Sequence, residues 1–188
     1  MGKVTWRGGA LIAPLPVVLV SSGSIDKPNV MTAAWTGIIN TIPAKTYVSI
    51  RPERYSHEII SKTKEFVINL TTTDLVFATD FCGVKSGKQI NKFEKMNLTA
   101  EKTTKINAPA IGQSPVNLEC KVTDIVKLGS HDMFLADIVA VNVDEKLLDK
   151  NGKLHLDKAK LIAYSHGEYF ELGKKLGKFG YSVQKKKK

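Results

Sequence analysis

Of the residue types that do chemistry, this sequence offers four histidines, two cysteines and a glycine-lysine loop, and their spacing excludes the commonest sites. His57, His131, His155 and His166 show no paired ligand spacing, and Cys82 and Cys120 lie 38 positions apart, so no metal site is expected. The stretch Gly83-Val84-Lys85-Ser86-Gly87-Lys88-Gln89 approximates a phosphate-binding P-loop. It is one residue short, and it ends in Gln89 where Ser or Thr would hold magnesium. No G-x-G-x-x-G follows a strand and there is no G-x-S-x-G, which leaves neither a Rossmann dinucleotide site nor a hydrolase elbow. What remains is scattered: Asn29 with MTAAW (Met31 to Trp35), SIRPERYSH (Ser49 to His57), KSGKQINKF (Lys85 to Phe93), GSH (Gly129 to His131), and Tyr164. Taken singly, Trp35 reads as a core aromatic, Lys92 as a solvated lysine and His131 as a turn residue.

The elements that must position these residues are mostly strands. Pro16 to Ser21 (PVVLVS) is a β-branched run closed by turn residues from Ser22 to Asn29. Met31 to Asn40 reads as one strand, and Thr46 to Ile50 as another, ended by Arg51-Pro52. Ser56 is expected to cap a helix through about Lys64, with Glu58 in its first turn. Phe66 to Leu70 is again a strand, and Thr73 or Asp74 opens a short helix that stops at Gly83. Val116 to Leu128 and Met133 to Val143 are long β-rich runs joined as a hairpin by Gly129 to Asp132. Leu161 to Tyr164 and Tyr169-Phe170 supply the last strands. Many short strands with few short helices predict a mainly β fold, a barrel decorated by helices. There is no internal repeat and no linker, so one domain is expected.

The chain has 188 residues, 43% hydrophobic and 24% charged, the composition of an ordinary globular domain. Its net charge of +10 would point to nucleic acid or an anionic membrane. Its distribution argues against both: no acid follows Glu171, whereas seven lysines do, and the preceding body carries only +3. Such a lysine run reads as a solvated tail over 176–188, beyond a domain at 1–175. The apolar stretch 10–20 is interrupted by Pro14 and Pro16 and is shorter than the ~20 residues of a membrane span, so neither a signal peptide nor a span is expected. Two unclustered cysteines fit a reducing cytoplasm.

Taken together and in order, these segments resemble the flavin reductase-like, FMN-binding split-barrel family over about Pro16 to Gly177. The resemblance runs through PVVLVS, Asn29, Ala33-Ala34-Trp35, the Arg51-Pro52 segment before Ser56-His57, Phe66 to Leu70, Ser86-Gly87 with Lys92-Phe93, Leu118-Glu119-Cys120, Gly129 with His131, and Tyr169. It implies a split β-barrel that binds FMN as a homodimer, with the cofactor near the subunit interface.

FMN ends in a phosphate dianion, suited to Ser49, Arg51 and the helix start at Ser56-His57. Its ring system is flat and apolar on both faces with a hydrogen-bonding edge. The strand Met31-Thr32-Ala33-Ala34-Trp35 can give it backbone contacts and an aromatic wall, with Ile50 beside it. Lys88 or Lys92 is expected either to stabilise the negative charge that builds on reduction or to reach the phosphate, with Ser86, Gly87 and Phe93 in the same segment. His131 and Tyr164 are expected to close the pocket; related sequences often carry Phe where this chain has Tyr164. The resemblance further implies transfer of electrons or hydride through the flavin, from NAD(P)H or a redox protein partner to an acceptor, with no catalytic side chain of the protein's own. The competing expectation is a non-redox β-barrel module whose basic tail contacts nucleic acid or an acidic partner.

Overall fold

The computed structural model describes residues 2–184. Lys185 to Lys188, the end of the expected lysine tail, lie outside the described residues.

Seven strands form the main sheet: β2 (Val18–Gly23), β3 (Pro28–Ala33), β4 (Thr36–Thr41), β5 (Ala44–Ile50), β6 (Glu65–Leu70), β9 (Val116–Lys127) and β10 (Asp132–Val143), in the order β3-β2-β6-β9-β10-β5-β4. Every neighbouring pair is antiparallel. A smaller sheet of β1 (Leu15–Pro16), β11 (Ile162–Ser165) and β12 (Glu168–Glu171) packs beside it, and β7 (Ala100–Glu101) pairs with β8 (Ala110–Ile111). Three helices decorate the sheets: α1 (Tyr55–Thr63), α2 (Val76–Val84) and α3 (Lys92–Lys95).

The alternation of side chains along a strand explains why β2 is apolar on both faces. Val18 and Val20 point into one core with Met31, Val48, Ile50, Phe66, Ile68 and Phe134. Leu19 points the other way, into a second core with Leu75, Ala78, Cys82 and Phe93 beneath α2 and α3. The first core joins residues of β3 and β5, from opposite ends of the sheet, so the sheet curls around it. β3 and β4 are not paired to one another, so the sheet does not close. This is the split form of the barrel.

Three local expectations are corrected. Met31 to Asn40 is two strands, bent at Ala34-Trp35, where the chain passes from one end of the sheet to the other. Ser56 does not cap α1: Arg54 occupies the cap position without a side-chain cap, and Ser56 lies inside the first turn. The second helix begins as a 3-10 turn at Thr73–Leu75 and α2 runs to Val84, one residue past Gly83. Lys92 and Phe93 open α3, which Asn91 caps by accepting from the Glu94 N–H. The β9–β10 hairpin turns where expected. The Leu128 N–H donates to the His131 carbonyl at 2.9 Å, and Gly129 holds φ +96°, which a side chain would strain.

Candidate functional site

The bend between β3 and β4, the start of α1 and the C-terminal end of α2 converge on two contiguous clefts. The first, about 390 Å³, is polar and cationic, and its lining includes Asn29, Arg51, Arg54, Ser56, Lys85, Ser86, Gly87 and Lys92. The second, about 240 Å³, is walled by Met31 to Trp35, Ser49 to Arg51, Gly83, His131, Tyr164 and Tyr169. Met31, Arg51 and Arg54 belong to both, so the clefts are two ends of one elongated site.

The polar end is built on a hydroxyl–amide relay. Asn29 Nδ2 donates to Ser56 Oγ at 2.7 Å and to Ser22 Oγ at 3.1 Å, fixing β3 against the first turn of α1. Across from it the chain comes close enough to require glycine. A Cβ on Gly87 would lie 2.2 Å from Asn29 Oδ1 and 3.1 Å from Tyr55 Cδ1. Lys92 is 5% exposed, and its ammonium donates to the carbonyls of Cys82 at 3.0 Å and Lys85 at 3.1 Å. An ammonium has three donors, so one remains for the cleft. Burial pushes Lys92 down to about 8, with the positive charge of Arg54 adding to the effect and Cys82 partly opposing it. Arg54 Nη1 donates to the Gly83 carbonyl at 2.8 Å and so ties the start of α1 to α2.

The second end is aromatic. Trp35 is 43% exposed rather than part of the core, because the bend at Ala34-Trp35 turns its indole out of the sheet, where it stacks on His131. The backbone stays anchored there by the Ser49 N–H, which donates to the Trp35 carbonyl at 2.8 Å. Tyr164 and Tyr169 meet edge to face with centroids 5.8 Å apart, and Tyr169 Oη donates to Asp80 at 3.2 Å, joining β12 to α2. Burial, and then Asp80, push the Tyr169 phenol up to about 12.

Three residues expected at the site stand elsewhere. His57 turns away: its Nε2 is 2.9 Å from Asp132 Oδ2 and its ring meets Phe134 edge-on, so it braces α1 against β10. Phe93 is buried in the second core. Lys88 lies over the Tyr55 ring at 5.9 Å in a neighbouring open groove of about 980 Å³. In that groove the Glu58 and Lys62 charges pair with one another. The other fifteen line one cleft or the other. Arg54, Lys85 and Tyr169 also line the clefts and are not among the candidates for cofactor contact read from the sequence. Arg54 could have been, as a second cation two positions before Ser56 within SIRPERYSH.

Against this geometry, the comparisons with known proteins agree. The flavin reductase like domain matches residues 11–173. An uncharacterized protein of Archaeoglobus fulgidus is 34% identical over 157 residues, 84% of this chain and 87% of that one. Flavoredoxin of Desulfovibrio vulgaris (Miyazaki F) superposes with a TM-score of 0.90 over 97% of this chain and all of its own, at 28% identity. An FMN-binding protein from Thermus thermophilus shares the fold, with a TM-score of 0.74 over 91% of this chain and 93% of its own, at 22% identity. The chain belongs to the flavin reductase-like family.

Among the described residues, no group of three or more His, Cys, Asp or Glu side chains is placed to hold a metal ion, and no helix is long and apolar enough to cross a membrane.

Proposed function

We propose that this protein is an FMN-binding flavoprotein that passes electrons or hydride between NAD(P)H or a redox protein and an acceptor. The observation that carries this reading is the joining of a cationic, hydroxyl-lined cleft to an aromatic one through Met31, Arg51 and Arg54. An elongated ligand with an anion at one end and a flat ring at the other matches that order. The fit is local as well: Gly87 lets the backbone pack against Asn29 and Tyr55 at the cleft wall, beside a buried ammonium and an α1 N-terminus that no side chain caps.

Bound FMN supplies the redox chemistry. The chain's own residues bind and orient. Lys92, Ser56 and Arg51 hold the phosphate, and Asn29 keeps the Ser56 hydroxyl aimed by donating to its oxygen. The backbone from Met31 to Ala34 would meet the ring edge, and Trp35, His131 and Tyr164, which line the same cleft, would exclude water from it. A nicotinamide stacking on an exposed flavin face, or a protein approaching it, would require no separate nucleotide fingerprint.

The surface supports a homodimer. The chain exposes 12603 Å², against ~8,900 Å² for a compact monomer of this mass. The arms at residues 2–13 and 172–178 form no helix or strand and carry exposed Trp6, Ile12 and Leu176. Two buried unpaired thiols suit a reducing cytoplasm, and the domain is read as 1–175 with a basic tail.

The test is a visible spectrum of the purified chain with FMN added, followed by anaerobic NADPH and NADH. A shifted, protein-bound flavin band that bleaches with nucleotide is the expected result. A band that stays assigns the donor role to a protein. No binding at high micromolar FMN overturns the reading.

A further inference from the structure

Four cations line the polar cleft, yet only Arg51 and Arg54 also reach the aromatic one. Arg51 is more than half exposed and faces Glu53 at 3.6 Å, so solvent and a carboxylate offset its charge. Arg54 is half-buried. Among the described residues it has no ion-pair partner, and its guanidinium is held by the Gly83 carbonyl at 2.8 Å. The lysines sit further off: Lys92 is absent from the aromatic lining, and Lys88 is in the outer groove.

We propose that Arg54 is the fixed cation that biases a bound flavin toward its reduced form. This rests on the FMN reading above and assigns one residue a role within it.

The argument follows from how a flavin is connected. The ribityl chain leaves the ring at N10, which is flanked by N1 with the O2 carbonyl on one side and by C9 on the other, so with the phosphate in the polar cleft the junction would lie beside N10, and N1 and O2 are the polar ring atoms a cation there would meet. Negative charge gathers there when the ring is reduced. A cation already held in place interacts with that charge without reorganising, and in a half-buried site it is screened less than in water. A guanidinium also stays charged at every working pH, so the bias is constant where Lys92 titrates. The Gly83 contact matters because it holds the guanidinium in place with one donor of the fork and leaves the others uncommitted, in a residue that lines both clefts.

The experiment measures dissociation constants of oxidised and reduced FMN, and the midpoint potential of the bound flavin by dye equilibration, for the wild type, Arg54→Gln and Arg54→Lys. The expected result is that Arg54→Gln loses at least tenfold more affinity for reduced than for oxidised FMN, with a lower potential, and that Arg54→Lys restores most of the ratio. Equal loss for both redox forms makes Arg54 an anchor only and overturns the inference, as does no change in either. Should Arg54→Gln fail to fold by circular dichroism, Arg54→Met and Arg54→Lys carry the same comparison between a neutral and a charged side chain. Failure of the wild type to bind FMN is a different result, which removes the FMN reading itself.

Discussion

The Trp35 indole and the His131 imidazole lie parallel, 5° apart in plane with 6.2 Å between centroids, joining the β3–β4 bend to the β9–β10 turn. Neither ring is buried in a core, and both line the aromatic cleft. Trp35→Ala therefore removes a wall of the cleft and not a piece of the hydrophobic interior. Surface substitutions of this kind shift stability by ~0.5 kcal/mol or less, whereas a lost aromatic contact with a ligand ring costs ~0.5–1.5 kcal/mol, up to about tenfold in affinity. A thermal melt should be nearly unchanged while an FMN titration weakens. A collapsed melt would place Trp35 back in the core.

Much of this was legible beforehand. Runs of β-branched and other strand-favouring residues bounded by turn residues mark β2, β5, β6, β9 and β10, and Gly129 to Asp132 mark the hairpin. The β3–β4 bend was not legible because no Gly or Pro punctuates Ala34-Trp35; hydrogen bonds to a strand at the far end of the sheet impose it. Lys92 read as solvated because its partners are backbone carbonyls of Cys82 and Lys85, which sequence does not show as acceptors. His57 reads from sequence as part of the phosphate-facing helix start because its partner, Asp132, is 75 positions away. The order of the motifs picks out segments that line the two clefts, and the burial of each residue comes only with the tertiary contacts.

The thiols of Cys82 and Cys120 should be inert in the folded chain. Burial pushes them up to about 11 and about 12, so almost no thiolate exists at pH 8, and both side chains are closed to solvent. Ellman's reagent is expected to titrate neither in the native protein and both after denaturation. A rapid reaction of one thiol in the native state would place it in an opening segment.

Glu119 is a fully buried carboxylate on β9 that staples the 104–105 loop. It accepts from the Thr104 N–H (2.8 Å) and hydroxyl (2.9 Å), the Lys105 N–H (2.7 Å) and Asn142 Nδ2 (2.8 Å). Burial raises its proton affinity, but these bonds outweigh it and hold the carboxyl below its ordinary value. Its contribution is then present above the unfolded carboxyl range and lost as pH falls through the lower folded value. Glu119→Gln turns one acceptor into a donor facing donors, at a cost of ~2–3 kcal/mol in urea unfolding. FMN affinity per folded molecule should be unaffected, since the residue lies outside both clefts.

Lys92 should make flavin affinity depend on pH. Its folded value near 8 lies below the model-peptide value near 10.5, so in the ligand-free chain the unfolded state binds the extra proton between these limits, and stability from this group rises with pH across them. Ligand binding runs the opposite way. A phosphate dianion prefers the charged ammonium, so FMN affinity is full below about pH 8 and falls above it by up to the worth of one charge-assisted contact, ~1.5–3 kcal/mol. Titrations from pH 6.5 to 9.5 should show that decline in the wild type. Lys92→Ala should be weak at all pH values, and Lys92→Arg, which cannot lose its proton in this range, should give a flat profile. Lys153→Ala, in an exposed turn, serves as the control. A flat wild-type profile would mean that the ammonium points away from the phosphate, and the polar cleft would then bind its anion through Ser56 and the arginines alone.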